Sequence, residues 1–153
     1  MGVQKILCAV DFTERCPYIV DQATDLARAL GAVLYVVYVI PLLDTYEQFN
    51  VNMSFREEYE KTIADQAQER LDGLIEKVTR DYNSVQGHLL TGDAAQKILE
   101  FGRDYDIDMI VIGTHGSKKI TQIFFGSVAE KIVKLSDRPV LTVKPHDCKY
   151  EPI

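Results

Sequence analysis

The run Val33-Leu-Tyr-Val-Val-Tyr-Val-Ile40 sets the first constraint on the fold. It has no alternation of polar residues that would give one face to water. A strand of this kind has to be covered on both faces, as interior strands of parallel sheets are. Pro41 stops it. Asp108-Met-Ile-Val-Ile112 reads the same way, and Gln4 to Val10, Val85 to Leu90 and Pro139 to Val143 supply three more β-compatible segments.

Helical stripes fall between these runs. Val20, Ala23, Ala27 and Leu30 form one, which Gly31 ends. Tyr59, Ile63, Ala67, Leu71, Leu74 and Val78 form a longer one, with Ser54 and Glu57 at capping-box spacing before it. Thr91-Gly92-Asp93 turns into a helix carrying Ala94, Ile98, Leu99 and Gly102, and Val128 to Leu135 supplies the last. The order β-α-β-α-β-α-β-α-β predicts a doubly wound α/β domain, with a five-stranded parallel sheet between helices on both faces. The longer irregular stretch, Leu42 to about Ser54, has a length common in functional or moving loops.

At 153 residues the chain makes one domain with a sizeable core. Its 46% apolar and 26% charged residues exclude a disordered chain. No apolar run reaches the ~18 residues of a membrane span, and the N-terminus lacks the layout of a signal peptide. Met1-Gly2 opens like a myristoylation signal, but Ile6 stands where that signal wants Ser or Thr. A cytoplasmic protein without a membrane partner is expected. The net charge of −6, with no Lys/Arg cluster longer than Lys118-Lys119, argues against nucleic acid. Cys8, Cys16 and Cys148 show neither disulfide nor zinc spacing; Cys8 is expected in the core, and Cys16 stands at a helix start, where a dipole can lower a thiol pKa but where a free cysteine is more often a small hydrophobe.

Directly after Ile112 comes Gly113-Thr114-His115-Gly116, then nine residues, then Gly126-Ser127 leading into the last helix. The sequence is thus strand, glycine-rich loop, helix. Glycines let backbone approach a ligand without a side chain in the way. A helix opening on Gly126-Ser127 offers unpaired N–H groups, the positive end of its dipole and a hydroxyl, which together suit phosphate. Ser127 also reads as an ordinary helix cap. There is no Gly-Lys-(Ser/Thr) triplet of a Walker loop and no Gly-x-Gly-x-x-Gly fingerprint.

The spacing matches the motif G-x2-G-x9-G-(S/T) at every specified position, and the chain resembles the ATP-binding subgroup of the universal stress protein family. The resemblance runs from about Gln4 to Lys144, leaving 145–153 as a tail, and includes Ile6-Leu-Cys-Ala-Val-Asp11-Phe-Thr13. It implies the strand order 3-2-1-4-5. Asp11 and Gly113 then end the two strands between which the winding reverses, where open α/β sheets bind ligands. It implies ATP as ligand, with Gly113, Gly116, Gly126 and Ser127 holding the phosphates and Thr114, His115 and Val128 beside them in the binding site. Asp11 would lie near ribose and phosphates, with Mg²⁺ or Mn²⁺ possible there through water or phosphate. Val39 would meet adenine through its backbone, beside a Tyr38 where the family commonly has His.

Ala9 and Val10 flank the same crevice. Asp11 has a second reading, as a cap of the following helix together with Thr13. His115 reads as an exposed loop histidine rather than a catalytic one, and Lys118 and Lys119 either screen the γ-phosphate or mark a solvated loop. No nucleophile–base pair stands out among His88, His115 and His146, so binding with at most slow hydrolysis is expected. Two rivals remain: an enzyme of the same broad fold, such as a nucleotidyl transferase or flavoprotein, and an interaction module without nucleotide. The apolar fifth strand, at the sheet's edge in that order, predicts a homodimer in which it meets its copy.

Overall fold

The computed structural model describes residues 2–13, 16–42, 52–114 and 126–144. Five strands and four helices alternate: β1 (Lys5–Val10), α1 (Cys16–Leu30), β2 (Val33–Ile40), α2 (Met53–Asp81), β3 (Val85–Thr91), α3 (Ala94–Asp104), β4 (Met109–Gly113), α4 (Ser127–Leu135) and β5 (Val140–Val143). All four strand pairs are parallel, and the sheet order is β3-β2-β1-β4-β5. Both agree with the sequence expectation.

Period-two alternation divides the core between the sheet's two faces. Ile6, Cys8 and Val10 point to one side, where they pack with Val20, Ala23 and Ala27 of α1 and with Leu71 and Val78 of α2. Leu7, Val37, Val39, Ile110 and Ile112 point to the other, against Ile98 and Phe101 of α3 and Ile132 of α4. Ile6, Leu7, Leu34, Ile110 and Ile132 are fully buried, and each such side chain contributes about 1.5–3 kcal/mol of transfer free energy. Gly87 lets α2 lie close on β3: a β-carbon there would stand 2.8 Å from Ile75 Cγ1 and 3.2 Å from Leu71 Cγ.

Four sequence expectations need correction. The cap of α2 is Asn52, whose side chain accepts from Ser54 N, rather than Ser54 with Glu57. Leu30, assigned to the buried stripe of α1, is 47% exposed, because the last turn of α1 runs past the core before Gly31 (φ 66°) ends it. Tyr59 is likewise exposed, since α2 spans 29 residues and its N-terminal turns extend beyond the buried segment Ala67 to Val78. Ser127 is the first residue of α4 rather than its cap; Gly126 holds the cap position with extended backbone (φ −59°, ψ 154°).

Candidate functional site

β1 sits between β2 and β4, with Ala9 opposite Val37 on one side and Ile112 on the other. The chain leaves β1 for α1, which packs on one face, and leaves β4 for α4, which packs on the other. Two neighbouring strands whose exits diverge leave a crevice beyond their C-terminal ends. Asp11 follows β1 directly, and Gly113 ends β4 with Thr114 next after it.

Asp11 is exposed, and its Oδ1 accepts from the Thr13 N–H at 3.0 Å and the Thr13 hydroxyl at 2.7 Å. The Thr13 carbonyl in turn accepts from the Cys16 N–H at 3.0 Å, so the carboxylate braces the turn into α1. Asp11 and Thr13 thus act together in the turn ahead of α1, rather than on an N–H of the helix itself. Both bonds land on one oxygen.

The β4–α4 loop is pinned at its ends. The Thr114 N–H donates to Val143 O at 3.0 Å, and the Gly126 N–H donates to Thr114 O at 2.7 Å. Gly126 is thereby drawn to the end of β4. The Gly126 carbonyl accepts the first bond within α4, from Glu130 N–H. α2 and α3 are capped by the Asn52 and Asp93 side chains, whereas no side chain among the described residues caps α4. Its first-turn N–H groups and its positive dipole end face the crevice end of the sheet.

The base-side candidates separate by face. Ala9 and Val39 belong to the core on the α3/α4 side, where Val128 of α4 also packs, whereas Val10 is buried in the opposite core with α1 and α2. Val10 can therefore offer the crevice only backbone. Tyr38 points away from the Val39 side and packs on Phe12, with ring centroids 4.5 Å apart. His115 and Gly116, together with Lys118 and Lys119, lie outside the described residues, as does the tail with His146 and Cys148. Sequence reasoning missed the left-handed backbone of Phe12 (φ 56°) and the Arg70 guanidinium 5.7 Å from its ring centroid. Neither leaves a local signal, because the partners come from β2 and α2.

The universal stress protein family model matches residues 2–144. The chain belongs to the universal stress protein family. It is 29% identical to universal stress protein A homolog 1 of Coxiella burnetii, covering 94% of this chain and 97% of that one. Universal stress protein UspA from Lactobacillus plantarum shares the fold, with a TM-score of 0.78 and 17% identity over 94% of this chain and 99% of that one. The universal stress protein from Archaeoglobus fulgidus, solved in complex with dAMP, superposes with a TM-score of 0.67 and 26% identity, covering 94% and 100% of the two chains.

Within this family member, Cys8 and Cys16 are buried free thiols. Burial pushes the Cys16 thiol up to about 11, outweighing the hydrogen bond with the Phe12 backbone, so Cys16 follows the small-hydrophobe reading and not the dipole-lowered one. Burial raises Cys8 further. Among the described residues no group of three or more His, Cys, Asp or Glu could hold a metal, and no helix is long and apolar enough to cross a membrane.

His88 sits on β3 among Phe101 (4.9 Å between centroids), Tyr105 (5.3 Å) and Tyr35 (5.8 Å). Its Nε2 is buried with no hydrogen-bond partner among the described residues, and desolvation lowers its pKa below the ordinary 6.5. The folded protein therefore favours the neutral ring. Its stabilisation is complete above pH 6.5 and is lost as the pH falls from there through the lower folded value, because the unfolded chain takes up the proton first. Thermal melts between pH 7.5 and 5 should show the wild type losing more stability on acidification than His88→Phe. Identical pH slopes would mean that His88 is not held neutral.

Proposed function

We propose that this chain binds ATP, with Mg²⁺ or Mn²⁺, at the crevice between β1 and β4. Gly113, Gly116, Gly126 and Ser127 hold the phosphates, with Thr114, His115 and Val128 beside them; Asp11 serves ribose, or a divalent ion through water or phosphate; Val39 and Ala9, with Val10 backbone, serve the base. The observation that carries the reading is the first turn of α4, uncapped by any side chain among the described residues and tied to the end of β4 through Gly126 N–H and Thr114 O. Backbone N–H groups arranged this way satisfy phosphate oxygens without basic side chains, which fits a chain of net charge −6. The dAMP complex of the Archaeoglobus fulgidus relative adds support for an adenine nucleotide.

A single aspartate fits a divalent ion that keeps its waters and takes further ligands from phosphate. Such an ion would neutralise phosphate charge; the chain's own part is to present the Asp11 carboxylate, held in place by Thr13. The protein acts in this reading as a cytoplasmic nucleotide-dependent stress-response or signalling module, with at most slow hydrolysis.

Gly126→Val tests the site. A branched side chain at the cap obstructs phosphate, so calorimetry should show loss of ATP binding while far-UV circular dichroism stays unchanged. Wild-type affinity in the variant would defeat the phosphate-loop reading, and a wild type that binds no nucleotide would favour the interaction-module alternative.

The same reading includes a two-fold dimer through β5. That strand is at the sheet's edge and Leu141 on it is 41% exposed, a combination that invites pairing with a second edge. Light scattering at micromolar concentration should report twice the 17.3 kDa chain mass. A single-chain mass across dilution would refute the dimer.

A further inference from the structure

Phe12 carries φ 56°, a left-handed backbone that is an outlier for an aromatic residue. Asp106, at φ 52°, is an ordinary case, because aspartate tolerates this region and here follows the end of α3. Strained backbone persists where surrounding contacts over-determine it. Three contacts do so at Phe12. Its ring is partly buried against the α1/α2 core, lies 4.5 Å from the Tyr38 ring of β2 at a 54° tilt, and has the Arg70 guanidinium of α2 5.7 Å from its centroid. A guanidinium within about 6 Å of a ring face is attracted by the ring quadrupole.

Phe12 is also the residue between Asp11 and Thr13, whose two hydrogen bonds to Asp11 Oδ1 fix the carboxylate at the crevice. The direction in which the chain turns at Phe12 decides whether the Thr13 donors can reach that oxygen. α2 contributes none of the residues assigned to phosphate, ribose or base, yet it reaches this turn through Arg70.

We infer that Arg70 is a positioning residue for the nucleotide site: by clamping the Phe12 ring against Tyr38, it holds the β1–α1 turn in the left-handed form that presents Asp11. The inference rests on the reading of the crevice as an adenine-nucleotide site. Arg70 touches no nucleotide in this account. Its effect passes through the Phe12 ring, and a lysine, which keeps the cation over the ring, substitutes for it.

The test compares ATP affinity by calorimetry in wild type, Arg70→Gln, Arg70→Lys, Phe12→Gly and the double variant Arg70→Gln/Phe12→Gly. Amide exchange of Thr13 is followed in the same proteins without ligand. Arg70→Gln should weaken ATP binding about two- to fivefold, the range of an exposed cation–ring contact, and speed Thr13 exchange by a similar factor. Arg70→Lys should retain most of both. In the Phe12→Gly background, where glycine adopts the turn without a ring, Arg70→Gln should change neither.

Wild-type behaviour of Arg70→Gln, equal losses in the lysine and glutamine variants, or a loss that persists without the Phe12 ring would each overturn the inference. The last of these would mean that Arg70 attracts the phosphates directly. Should wild type bind no ATP while Thr13 exchange still responds as stated, the clamp stands and the nucleotide reading fails.

Discussion

The pairing of β1 with β4 decides where the rest of the molecule can put a ligand. Both neighbours of β1 are parallel to it, yet the chain reaches β2 through α1 on one face and reaches β5 from β4 through α4 on the other. In sheets wound this way ligands bind beyond the strand ends at the reversal, which here are those of β1 and β4. Both faces of the sheet must be buried for this arrangement to hold, and the uninterrupted apolar strands meet that requirement.

The crevice is chemically asymmetric. On the β4 side it offers the opening turn of α4, held there by Thr114, whose backbone pairs with Val143 and Gly126. On the β1 side it offers one carboxylate, tied to Thr13. Positive dipole ends and a single anion at opposite edges suit a ligand that carries phosphate at one edge and hydroxyls or a bound cation at the other. Apolar surface from Ala9, Val39 and Val128 lies on the α3/α4 side of the same region.

The sheet was legible because its signal is carried by whole segments. Val33–Ile40 has the same bounds in the sequence reading and in the structure, and β3, β4 and β5 differ by a residue at one or both ends. Caps were less legible. Asn52 and Ser54 can each begin a helix, and only the extended backbone at Asn52 selects between them. The glycine spacing pointed to the end of β4 and the start of α4, although Ser127 proved to lie inside the helix. Leu30 satisfies the helical period but meets no core, since periodicity says which face a residue shares and not where the opposing layer stops. The Phe12 turn was not legible at all, because nothing adjacent to an aromatic residue announces a left-handed backbone. Its partners, Tyr38 and Arg70, are brought in by the sheet register and by α2.

That the opening N–H groups of α4, held beside the end of β4, bind phosphate is tested most directly by following backbone amide resonances during titration with ATP and Mg²⁺. The account predicts saturable shifts that are largest at Gly113, Thr114, Gly126, Ser127, Val128 and Ala129, with smaller ones at Asp11 and Thr13. Saturable shifts confined to another surface, or resonances at those six amides that do not move at saturating nucleotide, would contradict it.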